Sequence, residues 1–394
     1  MWRSVEVLEA APYAMNAGNN PIRSRFLTQA LALAHQALRI TSPNPRVGCV
    51  VVDANGNVIG EGHTQAQAAG GAHAEVMALR DVAQRGLSAD GATAYVTLEP
   101  CSHYGRTPPC ADALVAAGIQ TLVATNGDPN PRVSGRGFDR LRAAGVEVEV
   151  LSPDDALAIQ ARELNIGFFS RMERKKPWVR MKIAASLDGK TALPNGLSQW
   201  ITSPAARADG HAWRARACAV LTGIGTVLQD NPRLDVRLHQ TPRQPTLVVV
   251  DSQLETPLDA NLFAPNLIAE RACIIYTASQ HAEKRHALEQ RGATVVYCPD
   301  GQGKVDLAAM LHDLASTHQI NELHLEAGEK LNGSLIRAGL VDEFLIYLAP
   351  MLMGDGAGMA RLGVLQDLSQ ARRLTFHSVE PIGVDLRILA RIHR

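Results

Sequence analysis

An α/β chain built as two successive domains is what this sequence predicts, on three observations. Short apolar runs of strand length alternate with segments of helical periodicity through both halves. The length, 394 residues, exceeds what one ordinary core holds. Near the middle, the basic run 171–176 ends in Pro177 and a new apolar run starts at Trp178, a charged, proline-closed linker. The domains therefore read as 23–170 and 176–394, with 1–22 as a poorly ordered extension.

The elements follow in order. Residues 25–38 have helical periodicity. Residues 47–53 form a buried-looking strand, which Asn55-Gly56 turns into a second strand at 58–62, a hairpin signal. A helix over 72–85, a strand over 93–98 and a helix over 111–117 stopped by Gly118 come next. A strand at 121–125, a helix at 138–144 before Gly145 and a strand at 146–151 close the first domain, and a helix over 154–168 leads to the linker. The second half reads as strands at 178–184, 219–222, 246–251, 272–276, 294–297, 322–326 and 343–348, with helices between several of them.

Composition narrows the function classes. Lys plus Arg and Asp plus Glu are each 39, and aromatics are 4%, which argues against a nucleic-acid binder with a basic face and stacking platforms. No apolar run reaches membrane-spanning length, and the first twenty residues, with Arg3, Glu6 and Glu9, lack the apolar core of a signal peptide. The six cysteines, at 49, 101, 110, 218, 273 and 298, do not make a disulfide framework. Two of them are better used as thiolate ligands, which predicts a cytoplasmic protein.

Those two are Cys101 and Cys110, which with His73 make a three-ligand zinc set. Three protein ligands leave a fourth position for water, the mark of a catalytic site. Glu75 lies two residues past the histidine, and H-x-E…P-C is the signature of zinc deaminases acting on nucleobase-like rings. Zinc brings the pKa of a bound water to roughly 7, and Glu75 is placed to shuttle the proton to the leaving ammonia. The competing reading is a structural metal with His103 as fourth ligand. Eight residues, 102–109, separate the cysteines where the generic motif has two. That spacing argues against the alternative function, a nucleic-acid or nucleoside deaminase with an appended binding domain.

Taken together, Pro43-Asn44-Pro45-Arg46-Val47-Gly48, His73-Ala74-Glu75, the run from Glu99 to Cys110 and Asp128-Pro129-Asn130-Pro131 resemble the deaminase domain of the bifunctional riboflavin-biosynthesis deaminase/reductase family. The resemblance implies a cytidine-deaminase-like fold and a diaminohydroxypyrimidine substrate carrying a phosphoribosylamino group. It also implies that Asn44 and the 101–110 loop surround this substrate. Asn44, between two prolines, reads equally as a turn residue. Arg106 and His103 read equally as phosphate ligands or as solvated loop residues.

By its residues alone the second half is less specific. Gly223-Ile224-Gly225 follows a strand, but position 228 is Leu where a dinucleotide fingerprint needs its third glycine. The turn after Glu326 opens a helix whose free N–H groups suit a phosphate, and it reads equally as an ordinary strand-to-helix turn. Residues 181–190, 198–203, 230–234 and Glu326-Ala327-Gly328 resemble the reductase domain of the same family. The resemblance implies a dihydrofolate-reductase-like fold and NADPH as cofactor. It places Ala184, Trp200, Thr226, Asp230, Ser252 and the turn of Gly328, Glu329, Lys330, Leu331, Asn332, Gly333 and Ser334 along NADPH. Ser198, Arg214, Leu234, Arg237 and Glu326 would contact the substrate. Asp251, at a strand end, is the residue type that ordinarily takes the ribose of NAD, in tension with NADPH. A dimer through the reductase half is also implied by the resemblance.

Overall fold

The computed structural model describes residues 20–66, 71–103, 108–131 and 133–393. They form two compact units. One runs to Thr41 and then from Pro45 to Asn165; the other joins Ser42–Asn44 to Ile166 onward.

The first unit contains α1 (Pro21–Gln36), β1 (Gly48–Val52), β2 (Val58–His63), α2 (Ala74–Gln84), β3 (Thr93–Val96), α3 (Cys110–Ala116), β4 (Thr121–Ala124), α4 (Arg136–Ala143), β5 (Glu147–Val150) and α5 (Ala156–Leu164). Its sheet has the order β2-β1-β3-β4-β5. The expected hairpin places β1 antiparallel to β2, β1 is also antiparallel to β3, and β3, β4 and β5 are parallel. Phe26, Leu27 and Ala30 of α1 and Ala158 of α5 bury Val50, Val52, Tyr95 and Val123 on one face. Side chains alternate along a strand, so Cys49 and its partner Gly62 face the other side, where α2 lies.

Two boundaries differ from the expectation. Helix α1 starts at Pro21, capped by the Asn20 carboxamide, which accepts from Ile22 N at 3.1 Å; residues 1–19 of the expected extension lie outside the described residues. The helix expected over 154–168 is interrupted at Asn165. Its side chain accepts from Arg46 N at 2.7 Å and donates to Arg46 O at 2.8 Å, a tertiary clamp that helical periodicity cannot reveal.

The second unit opens with α6 (Ile166–Arg174), so the basic run expected as a linker is mostly the last turn of a helix. There Arg174 donates to Asp342 at 2.6 Å, and Ser170 Oγ donates to Lys176 O at 2.8 Å. Then come β6 (Trp178–Ser186), β7 (Lys190–Ala192), α7 (Pro204–Arg216), β8 (Ala219–Gly223), α8 (Ile224–Asp230), β9 (Thr246–Val250), α9 (Pro265–Glu270), β10 (Cys273–Thr277), α10 (Ala282–Gln290), β11 (Ala293–Tyr297), α11 (Leu307–Ser316), β12 (Glu322–Leu325), α12 (Glu329–Arg337), β13 (Glu343–Ala349), β14 (Ala357–Gly358), β15 (Leu374–Ile382) and β16 (Asp385–Ile392).

The large sheet has the order β11-β10-β9-β8-β12-β6-β13-β16-β15. It is parallel from β11 to β13 and antiparallel at β16 and β15. All seven expected strands are present. The β15–β16 hairpin is additional, and one of its strands, β15, is exposed along most of its length, so it lacks the buried apolar face that makes a strand readable. Under α7, Arg180 bonds both Glu322 (3.0 Å) and Glu343 (2.5 Å), and its guanidinium stacks 4.5 Å from the Trp213 ring. Arg216 and Arg391 complete this buried charge network, which satisfies what would otherwise be costly desolvated ions.

Candidate active sites

In the first unit the chain turns into α2 at His73, the N-cap residue, and Glu75 falls in the first helical turn, 3% exposed. Gly62 and Gly60 let β2 run against this helix: a Cβ on Gly62 would sit 2.4 Å from both Ala74 O and Ala78 N. Cys110 is the first residue of α3, and Cys101 lies on the loop leaving β3. His73 Nδ1 is 3.2 Å from Cys110 Sγ and 3.5 Å from Cys101 Sγ, and Cys110 N donates to Cys101 Sγ at 3.3 Å. The three ligand atoms lie within 4.8 Å of one another. Metal–sulfur bonds of about 2.3 Å and a metal–nitrogen bond of about 2.0 Å separate tetrahedral ligands by roughly 3.5 Å, so this set fits a zinc ion. His103 is exposed and outside the cluster, against a four-ligand structural site. Arg106 lies outside the described residues.

The electrostatics suit a metal. Hydrogen bonds from Cys110 and then His73, against the cost of burial, pull the Cys101 thiol down to about 4. The bond to Cys101 raises His73 to about 9. Cys110 is pushed up by the neighbouring Cys101 thiolate and by burial; a cation replaces that proton. Burial raises the Glu75 carboxyl to about 7, the range a proton shuttle needs. Asp128, a residue of the Asp-Pro-Asn-Pro run that carried no assigned role, is buried beside this site and raised to about 7 by burial. Asn44 ends the Ser42–Asn44 segment of the second unit, where Pro43 O accepts from Asn321 at 2.9 Å and Arg171 at 3.4 Å.

In the second unit the chain moves outward from β8 through β9 and β10 to β11, then returns to insert β12 beside β8. Such a reversal leaves a crevice at the carboxyl ends of the strands. Helices α8 and α12 both start there, and a Cβ on Gly223 would stand 3.1 Å from Leu331, so the two helix N-termini are neighbours. The loop carrying Ser198 and Trp200 is tied to α8, which holds Thr226 and Asp230, by a bond from Gln229 to Gly196 O at 2.9 Å. Trp200 is 63% exposed, with the Arg207 guanidinium 4.5 Å from its ring; it is not a core residue. Ala184 is half-buried on β6, opposite Tyr347.

Four expected substrate residues gather in one cluster. Arg214 bonds Glu326 at 2.7 Å and Asp235 O at 2.5 Å. The Asp235 carboxylate holds Arg237 at 2.9 Å and Arg233 at 3.0 Å. Buried Leu234 has φ +52°, and its carbonyl accepts from Arg271 at 2.6 Å. Lys182 Nζ is 3.9 Å from Glu326, and fully buried His324 is 3.4 Å away. Against its burial, Arg214, His324 and Lys182 hold the Glu326 carboxyl well below its usual range. Asp235 and Arg271 were not singled out by the sequence, and Arg233 only as part of the 230–234 run, because a charged residue in a loop carries no periodic signal.

The expected cofactor turn is fastened to residues 358–361. Glu329 accepts from Gly358 N at 3.1 Å and pairs with Arg361, and Asn332 donates to Met359 O at 2.9 Å. Ser334 Oγ donates to Lys330 O at 3.1 Å, and Gly333 packs on the Arg361 carbonyl. The main chain joins in, with Arg361 N donating to Glu329 O at 2.9 Å. Asp251 resolves the tension over the cofactor: it is fully buried and accepts from Glu255 N (3.0 Å), Thr256 N (2.8 Å) and Thr256 Oγ1 (2.6 Å). Both of its oxygens fasten their own loop. Ser252 Oγ accepts from Val305 N at 3.2 Å.

Comparison with known proteins gives two family matches. Residues 21–126 match the cytidine and deoxycytidylate deaminase zinc-binding region, and residues 177–388 the RibD C-terminal domain. The riboflavin biosynthesis protein RibD of Escherichia coli is 42% identical over 375 residues, 92% of this chain and 97% of that protein. The chain belongs to the bifunctional riboflavin-biosynthesis deaminase/reductase family. Among solved structures, Acinetobacter baumannii RibD superposes with a TM-score of 0.84 at 38% identity, covering 95% of this chain and 99% of its own. A diaminohydroxyphosphoribosylaminopyrimidine deaminase/5-amino-6-(5-phosphoribosylamino)uracil reductase from Thermotoga maritima does so at 0.82 and 31%, covering 94% and 99%. As a deaminase/reductase of this family, the chain pairs a zinc-dependent hydrolytic deaminase with an NADPH-dependent reductase. The expected two-domain α/β architecture holds, with a cytidine-deaminase-like first unit and the family's reductase domain second. Among the described residues, no helix is long and apolar enough to cross a membrane.

Proposed function

We propose that His73, Cys101 and Cys110 are the zinc ligands of the deamination and that Glu75 is its proton carrier. The observation that carries this is the convergence of the three ligand atoms within 4.8 Å beside a buried carboxylate. Zinc, when bound, acidifies water enough for attack near neutral pH. Glu75, poised at about 7, accepts the proton of the attacking water and passes it to the departing amine. Ring–N is broken, ring–O is formed, and ammonia leaves.

For the second reaction NADPH supplies the hydride when bound. The paired N-termini of α8 and α12, with Gly223 and Gly328 at their caps, would receive its pyrophosphate. Ala184, Trp200, Thr226 and Asp230 would line the nicotinamide half, and Ser252 the adenosine half. Arg214 and Arg237 bind the substrate phosphate, with Ser198, Leu234 and Glu326 around the sugar. The hydride would go to the anomeric carbon as its bond to the ring oxygen breaks, and Lys182, its ammonium pulled down by burial, is the group placed to hold the proton that this oxygen takes up.

The assay uses the diaminopyrimidine phosphoribosyl substrate with and without NADPH. Ammonia release must proceed without NADPH. Glu75→Gln must keep its zinc while losing ammonia release, and a variant that releases ammonia at the wild-type rate removes Glu75 from the mechanism. A kcat/KM for NADH equal to that for NADPH would overturn the cofactor assignment.

A homodimer through the second unit is supported by edge strand β15, where Phe376 is 68% exposed beside Leu374 and Val379. Exposed apolar side chains clustered on an edge strand suit burial against a second copy. Phe376→Lys should shift the mass in light scattering to that of one chain. Reduced thiolate ligands support a cytoplasmic location.

A further inference from the structure

Glu99 precedes Pro100 and Cys101, and its carboxylate is 3% exposed. A buried carboxylate is ordinarily matched by a cation or by several donors. Among the described residues the donors are all backbone. Asp128 N and Gly135 N donate to Oε2, each at 3.0 Å, and Gly137 N donates to Oε1 at 2.9 Å. Glu99's own N–H donates to Asn126 O at 2.9 Å. Both oxygens and the main chain of one residue thus bind the segment 126–137 at four points. The same segment closes on Pro100: a Cβ on Gly137 would lie 2.0 Å from the Pro100 carbonyl oxygen, so only glycine permits this approach.

We infer that Glu99 is a positioning residue of the deaminase, fixing the backbone that carries Cys101 against the loop that carries Asp128 and Asn130. The inference rests on the reading of Cys101 as a metal ligand. Its physical basis is rigidity. Between Glu99 and Cys101 stands one proline, whose ring fixes φ, so the carboxylate anchor is transmitted to the ligand with little slack. Charge-assisted bonds to backbone N–H are stronger than neutral ones, and they hold the Cys101 loop in place before any metal arrives. The shape of Glu99 matters as well as its charge. In Glu99→Gln one carboxylate oxygen becomes an NH2 group, which must face Gly137 N or the pair from Asp128 and Gly135, a donor against a donor. The 126–137 segment then parts from Pro100, and Cys101 loses its fixed position.

The test uses the full chain. Glu99→Gln is compared with wild type for zinc release to a chelator, for the thiolate-to-metal charge-transfer band of the cobalt-substituted protein, and for ammonia release. NADPH oxidation on the deaminated substrate reports on the second unit. The expected result is zinc loss accelerated by about 10- to 100-fold, the typical effect of disturbing the supports of metal ligands. The cobalt band should shift, kcat for ammonia release should fall to a similar degree, and NADPH oxidation should be unchanged. A lowered Tm with an unchanged cobalt band and unchanged kcat would make Glu99 merely structural and overturn the inference. If wild type itself shows no thiolate-to-cobalt band, Cys101 is not a ligand, and the reading beneath the inference fails instead. Should Glu99→Gln not accumulate as soluble protein, Glu99→Asp, which withdraws the carboxylate by one methylene, is measured against the same criteria.

Discussion

Replacing Gly62 by alanine tests how tightly the deaminase site depends on the sheet beneath it. The new Cβ would meet Ala74 O and Ala78 N at 2.4 Å, where ordinary contact begins at 3.4 Å. Both atoms are helix backbone, so no side chain can swing aside, and α2 must recede by the difference, about 1 Å. That helix begins at His73 and carries Glu75 in its first turn. Misplacing a catalytic group by about 1 Å costs on the order of 100-fold in rate, while overpacking of this kind destabilises by about 1–3 kcal/mol. Gly62→Ala should therefore fold, release ammonia about 100-fold more slowly, and bind zinc less tightly. NADPH oxidation on the deaminated product should be unaffected. The measurements are ammonia release at saturating substrate, zinc content after dialysis and the separate reductase assay. Wild-type ammonia release with a full complement of zinc would refute the claim that this glycine sets the position of the catalytic helix.

Three further predictions concern the reductase unit. Asp251→Asn should lower stability, since three bonds to its carboxylate are disturbed, yet leave the NADPH-to-NADH ratio of kcat/KM unchanged; a change in that ratio would return Asp251 to the cofactor. Arg180→Met strips the charge facing the buried Glu322 and Glu343 and should cost about 3–5 kcal/mol in urea unfolding, a value near zero refuting the network's role. Burial, then Arg214 and Arg237, depress His211 to about 4, with Glu326 and Asp235 opposing, so on acidification the unfolded chain binds this proton first. The resulting stability is complete above about pH 6.5 and is lost as pH falls toward 4. Thermal melts of His211→Gln should accordingly depend less on pH across that window, and parallel curves would remove His211 from the acid response.

Much of this protein is legible in one dimension. The metal set is local chemistry: His73 and Glu75 are two residues apart, and the unusual spacing of Cys101 and Cys110 needs no fold to be read. The parallel strands are equally visible, because strands buried on both faces are continuous apolar runs, as β9 and β10 are. What stayed hidden depends on contacts between distant residues. Strand β15 has no buried face, and α5 and α6 are parted by the Asn165 clamp on Arg46, 119 residues away. Carboxylates show the difference most sharply. By sequence, Asp251 stands where an acid would take a ribose, and Glu99 is only a neighbour of a cysteine. The fold turns Asp251 inward onto its own loop and surrounds Glu99 with the N–H groups of residues 128, 135 and 137. The sequence determined which groups can do the chemistry. Only the tertiary structure decided which carboxylates remain available for it, because a buried charge takes whatever donors the packed chain brings within reach.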